Sequence, residues 1–347
     1  MNMIDIHSHF LPRSWPDLAA RFGNRDWPWM KHTGKGAAML MVGDREFRPV
    51  TSACWDPQVR LEAMDRDGVD VQIMCTTPVL FSYERPPAQA LECARIFNDA
   101  AREICAAAPG RLKSLSQVPL QDTDLACREL SRAMADGHLG VHIGNHVGVR
   151  DLNDEGIIAF LQHCAAEGAA VFVHPWDMMA QERMPRYMLS WLVAMPAETQ
   201  LSILWLILSG AFERLPRSLR LCFAHGGGSF PYLLGRVDNA WRNRDIVREH
   251  CPRLPSSYVD RFHVDAAVFS RDALTFLIKS MGEDRVMLGS DYPYPLGEQR
   301  VGSLIRSHDA LPATVREKLL HANAARFFGL GVARAFSTQA PTARRSA

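Results

Sequence analysis

Short apolar runs rich in β-branched residues recur along the chain, separated by stretches whose apolar residues fall three and four apart. The runs predict strands at "IDIHSH" (4–9), "VDVQIMC" (69–75), "LKSLSQVP" (112–119), "LGVHIGN" (139–145), "AAVFVHP" (169–175), "LRLCFAH" (219–225), "FHVDAA" (262–267) and "RVMLGSD" (285–291). The segments between them, such as "DPQVRLEAMDRDG" and "DLACRELSRAMADG", carry helical spacing, and several close on the glycine that helix C-termini favour. Strands apolar on both faces and alternating with helices belong to a parallel sheet. Eight such units predict an α/β fold, a TIM-type (β/α)8 barrel whose chemistry sits at the C-terminal strand ends.

Two segments depart from the alternation. Residues 10–55 form a long first connection rich in Trp and Pro, with a possible hairpin in "AAMLMVGDREFRPV" (37–50). A connection of that length is expected to be functional, here an insertion over the barrel mouth. Residues 334–347 are polar and aperiodic and are expected to be a disordered tail, leaving 1–333 as one barrel domain. The most apolar stretch, "LSILWLILSGAF" (201–212), reads as a buried helix too short to span a bilayer.

Composition narrows the picture. Apolar residues make up 47% and charged residues 22%, with a formal net charge of +1. Those values describe a soluble globular protein and give no reason to expect a nucleic acid or membrane partner. The eight cysteines are scattered without a C-x-x-C pair, so they read as free thiols in a reducing cytoplasm. No basic segment precedes an apolar run at the N-terminus, and no signal peptide is expected.

The chemistry is concentrated at the predicted strand ends. In an extended strand, residues i and i+2 share a face, so His7 and His9 project together from the first strand. The fifth strand ends in His174, the sixth in His225 and the eighth in Asp291. Any one of these is as readily a packed core residue, but packing does not explain all five at one face. Three imidazoles and one carboxylate are the right ligand set for a divalent ion with a position open to water. "TGKG" (33–36) lacks the spacing of a phosphate-binding loop. The "HGGGSF" after the sixth strand lets backbone approach closely. It also matches a lipase oxyanion loop, but with no G-x-S-x-G anywhere a serine hydrolase is discounted.

This arrangement, H-x-H on strand one, His on strands five and six and Asp on strand eight, resembles the amidohydrolase superfamily. "IDIHSHFLP", "FRPV", "MDRDGVDVQ", "LSQVPLQD", "HPWDMM", "AMPAETQLSILWLILSGAFERLP", "FAHGGGSFPYLLGRVDNAWR" and "MLGSDYPYPLGEQ" are similar to its decarboxylase branch, over residues 3 to 331. The resemblance implies zinc-dependent, non-oxidative conversion of 2-amino-3-carboxymuconate 6-semialdehyde to 2-aminomuconate 6-semialdehyde and CO2. The setting would be tryptophan (kynurenine) or 2-nitrobenzoate degradation, with no organic cofactor. Binuclear members bridge two ions with a strand-four lysine, and "LGVHIGNHVG" has none. That implies one ion per subunit, held by His7, His9, His174 and Asp291, with His142 and His146 structural.

The resemblance also implies that His225 is an acid/base beside the ion, with Asp291 contributing to catalysis. A substrate with two carboxylates needs cations, and the matched motifs supply Arg48 from "FRPV" and Arg236 from "LLGRVDNAWR". Trp176, Met178, Trp191 and Tyr294 are expected to wall the pocket. The same resemblance implies a homodimer in which Arg236 reaches the partner subunit's site. Other readings are a hydroxybenzoate-type decarboxylase, an amide or lactone hydrolase on the same barrel, or a metal-binding protein without catalysis.

Overall fold

The computed structural model describes residues 2–331; the tail predicted from 334 lies outside the described residues. Eight strands carry the barrel: β1 (Ile4–Phe10), β2 (Val71–Thr76), β3 (Leu112–Ser114), β4 (Gly140–Gly144), β5 (Ala170–His174), β6 (Arg220–Phe223), β7 (His263–Asp265) and β8 (Val286–Met287). All neighbours pair in parallel, as β1-β2-β3 and β8-β7-β6-β5-β4. Single parallel bridges, Ser116 to Val141 and Ser8 to Tyr292, join the two sheets at both seams, so the strands close into a ring in chain order. The alternation predicted from the sequence is therefore a (β/α)8 barrel.

The barrel interior is divided along its axis. Ile4, Ile6, Ile73, Cys75, Phe172, Cys222 and Met287 pack as one apolar cluster, with Phe327 and Phe328 of the last helix against it. Burial of that plug removes apolar surface from water and fixes the strand register. Past it, towards the C-terminal strand ends, the inward residues turn polar: His7, His9, His142, His174 and Asp265 are all buried. Close approach between β4 and β5 requires glycine at 140, where a Cβ would lie 2.0 Å from the Ala170 carbonyl oxygen.

The connecting helices follow their sequence signals. Thr123–Ala135 starts at Asp122, whose carboxylate accepts the Leu125 N–H at 2.9 Å, and it buries Ala126, Leu130 and Ala133. Pro57–Asp67 is capped by Asp56 and ends at Gly68 in the left-handed conformation, φ 75°.

The first connection contains the expected hairpin and one strand more. Pro28–Gly34, Ala37–Val42 and Arg45–Thr51 form an antiparallel sheet after a short helix, Leu18–Phe22. Its Leu18, Trp27, Ala38, Leu40 and Val50 share a core with Leu80, Phe97 and Tyr294, which seats the insertion on the barrel.

The helix predicted at 201–212 is longer and begins earlier. A π turn at Ser190–Ala194 runs directly into the α-helix Met195–Leu208, and Gly210 starts a separate short helix. Spanning 19 residues, Ser190–Leu208 is long and apolar enough to cross a membrane by length and composition, which corrects the expectation from sequence. Only part of it is buried: Ile203, Leu206 and Ile207 enter the barrel core, while Leu192, Val193, Leu201 and Trp205 are exposed.

Candidate metal centre and active site

His7, His9, His174 and Asp291 converge at the mouth of the barrel, each offering a ligand atom within 4.8 Å of the others, and all four are buried. His7 Nε2 lies 3.1 Å from His9 Nε2 and 3.6 Å from Asp291 Oδ1, and His9 Nε2 lies 3.0 Å from the same oxygen. Ligands about 2.0–2.2 Å from a tetrahedral ion stand roughly 3.3–3.6 Å apart, so with two pairs only a few tenths of an ångström closer the cluster is the right size for one first-row divalent cation. The outer nitrogen of His174 agrees, whereas His9 Nδ1 is buried without a partner among the described residues. His174 Nδ1 donates to the Pro175 carbonyl at 2.8 Å, leaving its Nε2 lone pair free.

The protonation states of His9, His174 and Asp291 suit ligation, while His7 must give up a proton to bind an ion. Burial holds His9 down at about 4 and His174 well below the ordinary imidazole range, so both are neutral near pH 7. Burial alone would lower His7 as well, but the hydrogen bond and charge of Asp265 outweigh it and raise it. Asp291 would be raised by burial, yet the neighbouring imidazoles hold its carboxyl well below the usual range.

His225 stands beside this group, not within it. Its ring centroid is 4.9 Å from that of His174 and 5.1 Å from that of His7, and its Nε2 is 3.9 Å from Asp291 Oδ2. Its Nδ1 has no hydrogen-bond partner among the described residues. The turn that presents it is left-handed at four successive residues, His225 to Gly228, with φ of 55°, 64°, 76° and 61°. Every backbone N–H from Gly226 to Ser229 is engaged, by Asp265, Ala224, His225 and Pro196 respectively. The glycine run thus serves close packing, with a Cβ at 228 falling 2.3 Å from the Pro196 carbonyl oxygen, and offers no free oxyanion hole.

The remaining predicted residues divide into near and far. Arg48, on the third insertion strand, places its guanidinium 4.4 Å from the Tyr294 ring centroid and 5.9 Å from that of Trp191. Tyr294 lies 5.3 Å from His9, with its hydroxyl 2.5 Å from Thr77 Oγ1. Trp176 belongs to an outer layer: its Nε1 donates to the His146 carbonyl at 3.0 Å, and its ring packs edge-on against Tyr83 at 5.3 Å. Met178 is half-buried. Arg236 is exposed on the helix Phe230–Asn243, without an ion pair among the described residues. Asp238, two residues on and so turned to another side of the helix, accepts the Ser256 N–H at 2.9 Å.

Two residues tied to the cluster, Asp265 and Arg60, are not singled out in the sequence, and a third, His142, is expected there to be structural. Asp265 on β7 holds His7 Nδ1 at 2.6 Å, a residue pair 258 positions apart. His142 on β4 is fully buried, 5.6 Å from His174 and 6.0 Å from His9, and stacks on Phe172 with both ring nitrogens unpartnered. Burial pushes it far below the ordinary range, so it is a neutral ring facing the cluster. Arg60, also buried, donates to the His9 carbonyl at 2.6 Å and to Gln72 at 2.7 Å; Gln72 in turn donates to Asp5, which accepts Ser290 Oγ at 2.6 Å. That chain of hydrogen bonds ties β1, β2 and the Asp291 turn together, and burial raises the Asp5 carboxyl to about 6.

Residues 4–330 match the protein family described as amidohydrolase. A 2-amino-3-carboxymuconate-6-semialdehyde decarboxylase of Dictyostelium discoideum is 42% identical over 329 residues, covering 94% of this chain and 91% of that protein. Among solved structures, the apo IDCase of Metarhizium anisopliae superposes with a TM-score of 0.82 at 20% identity, over 94% of this chain and 97% of that one. A dihydroxybenzoic acid decarboxylase of a Polaromonas species, solved with manganese and 2-nitroresorcinol, superposes at 0.73 with 23% identity, over 95% and 98% of the two chains. At such identities the two structures speak to the fold alone.

Proposed function

The chain belongs to the amidohydrolase family, and from that premise we propose that it is a metal-dependent decarboxylase of 2-amino-3-carboxymuconate 6-semialdehyde. The observation that carries the reading is the four-ligand cluster with His225 beside its open side, in a chain 42% identical to a decarboxylase of that name. Breaking the C–CO2 bond leaves electron density on the carbon, which must take up a proton to give 2-aminomuconate 6-semialdehyde. A divalent ion held by His7, His9, His174 and Asp291 supplies Lewis-acid stabilisation of developing negative charge.

The chain's own side chains do the rest. His225, with Nε2 3.9 Å from Asp291 Oδ2, stands where it can pass a proton to the substrate carbon. Arg48, with its guanidinium backed by Tyr294, binds a substrate carboxylate. Tyr294, Trp191 and, behind them, Trp176 and Met178 bound the pocket. Three nitrogens and one carboxylate oxygen favour zinc as the native ion.

Arg236 acts on the second carboxylate from a partner subunit of a homodimer. Its exposure and lack of an ion-pair partner among the described residues support this, and Tyr187, Met188, Leu192 and Val193 are further exposed apolar residues that an interface could cover. The eight free cysteines suit a cytoplasmic enzyme of tryptophan or 2-nitrobenzoate breakdown.

A second reading, a hydroxybenzoate-type decarboxylase, has one observation in its favour: the fold is shared with the dihydroxybenzoic acid decarboxylase. Measuring CO2 release from the carboxymuconate semialdehyde and from dihydroxybenzoates in parallel separates the two. Turnover of the semialdehyde alone supports the main reading; turnover of the dihydroxybenzoates alone replaces it.

A further inference from the structure

We propose that Asp265 is a positioning residue that locks His7 in its metal-binding tautomer and, with the same carboxylate, ties down the turn that carries His225. The inference rests on the reading of His7, His9, His174 and Asp291 as a metal centre. Asp265 ends β7 and is completely buried. Its Oδ1 accepts two backbone N–H groups, from Gly226 at 2.9 Å and Ala267 at 3.1 Å. Its Oδ2 lies 2.6 Å from His7 Nδ1. Among the described residues no lysine or arginine pairs with it; His7 is its sole ionic partner.

These contacts leave little freedom. Backbone N–H groups can only donate, so Oδ1 is fixed as an acceptor, and an ionised carboxylate can only accept through Oδ2 as well. The proton of the short bond therefore belongs to His7 Nδ1. The other ring nitrogen, Nε2, is left with its lone pair directed at the point where His9 Nε2 and Asp291 Oδ1 also converge. Carboxylate, imidazole and metal in line is a recurring way to fix a ligand's tautomer and raise its basicity. Here the carboxylate has a second function: its bond to Gly226 N–H steadies the left-handed turn at His225, φ 55°, from β7, the strand next to β6.

The isosteric variant Asp265→Asn separates the two functions. Its amide oxygen can keep both backbone N–H bonds and hence the turn. The amide NH2 is then forced against His7 Nδ1, which must become the acceptor, and the ring proton moves to Nε2, the ligand atom. The same fold should thus hold a misprotonated ligand.

Two measurements decide the matter. Chelator competition on purified wild type and Asp265→Asn compares zinc dissociation constants, with the melting temperatures of both metal-free proteins measured alongside. The expected result is metal-free melting close to wild type and zinc binding weakened on the order of 10–100-fold. In addition, 15N-histidine spectra of the metal-free wild type, at a pH where the His7 ring is neutral, should place its proton on Nδ1, as a downfield resonance. Equal zinc affinity in a folded Asp265→Asn protein overturns the proposal, as does a wild-type His7 proton on Nε2. Should the variant not fold, the wild-type spectrum decides alone. A wild type that binds no zinc stoichiometrically would instead refute the metal centre itself.

Discussion

His225 Nε2 and Asp291 Oδ2 face each other across 3.9 Å, and both residues hold left-handed backbone angles, φ 55° and 61°. The gap is too long for a direct hydrogen bond, yet short enough for one bound atom to touch both. Positive φ in a residue with a side chain costs on the order of 1–3 kcal/mol, and such strain tends to collect at functional sites. Here it is offset by turn hydrogen bonds, Gly228 N–H to His225 O at 2.9 Å and Asp291 N–H to His7 O at 2.8 Å. Two side chains from separate strained turns are thereby aimed at one place.

From this relationship the roles separate. His174→Ala and Asp291→Ala are expected to lose metal and activity together, since each removes one of four ligands. His225→Ala should retain its metal while turnover falls roughly 10²–10⁴-fold, the usual worth of a positioned acid or base. Metal analysis alongside steady-state kinetics checks both; a His225→Ala protein purified without metal would make His225 a ligand.

Arg48→Ala removes a charged partner of the substrate carboxylate without touching the ion. The expected loss in kcat/KM is about 2–3 kcal/mol, roughly 30–150-fold, with metal content unchanged. Unaltered kinetics would reduce the insertion sheet to a structural role.

Much of this site was legible in the sequence, because the barrel repeats a local signal. β-Branched runs marked all eight strands, and His7, His9, His174 and Asp291 stood out as polar residues ending apolar strands. Asp265 closes its strand in the same manner, in "FHVDAA", but its meaning lies in a partner 258 residues away, which no local pattern carries. His142 lies mid-strand between apolar neighbours and reads as core until its two bare nitrogens are seen. The helix expected at 201–212 is placed by its most apolar stretch alone, which leaves out the more polar turns from Ser190 to Gln200. The π turn at Ser190–Ala194 has no sequence signature of its own.

Acid should destabilise the metal-free protein through histidines outside the site. Burial lowers His138 to about 4 and His263 to about 3 from an ordinary 6.5. With the folded values depressed, their contribution to stability is complete above about pH 6.5 and is lost as pH falls towards the folded values. For His138 the loss by pH 4 is on the order of 3 kcal/mol. Urea unfolding from pH 7 to 4 should show this decline, and His138→Gln should flatten it; a pH-independent midpoint would contradict it.

Subunit mixing tests the assignment of Arg236. Inactive His225→Ala and Arg236→Ala proteins, allowed to exchange subunits, would form mixed dimers with one doubly defective and one intact site. Random pairing makes about half of the dimers mixed and half of their sites intact, so up to roughly a quarter of full activity should return, by counting on a two-subunit assembly. No recovery despite proven exchange would place Arg236 in its own subunit's site or in none.

The central claim is a decarboxylase working with one ion at His7, His9, His174 and Asp291. Zinc titrated into metal-free protein, with CO2 release from 2-amino-3-carboxymuconate 6-semialdehyde followed at each addition, tests it most directly. Activity should start near zero, rise linearly and level off at one ion per chain. A plateau at two ions, or CO2 release that does not depend on metal, would contradict it.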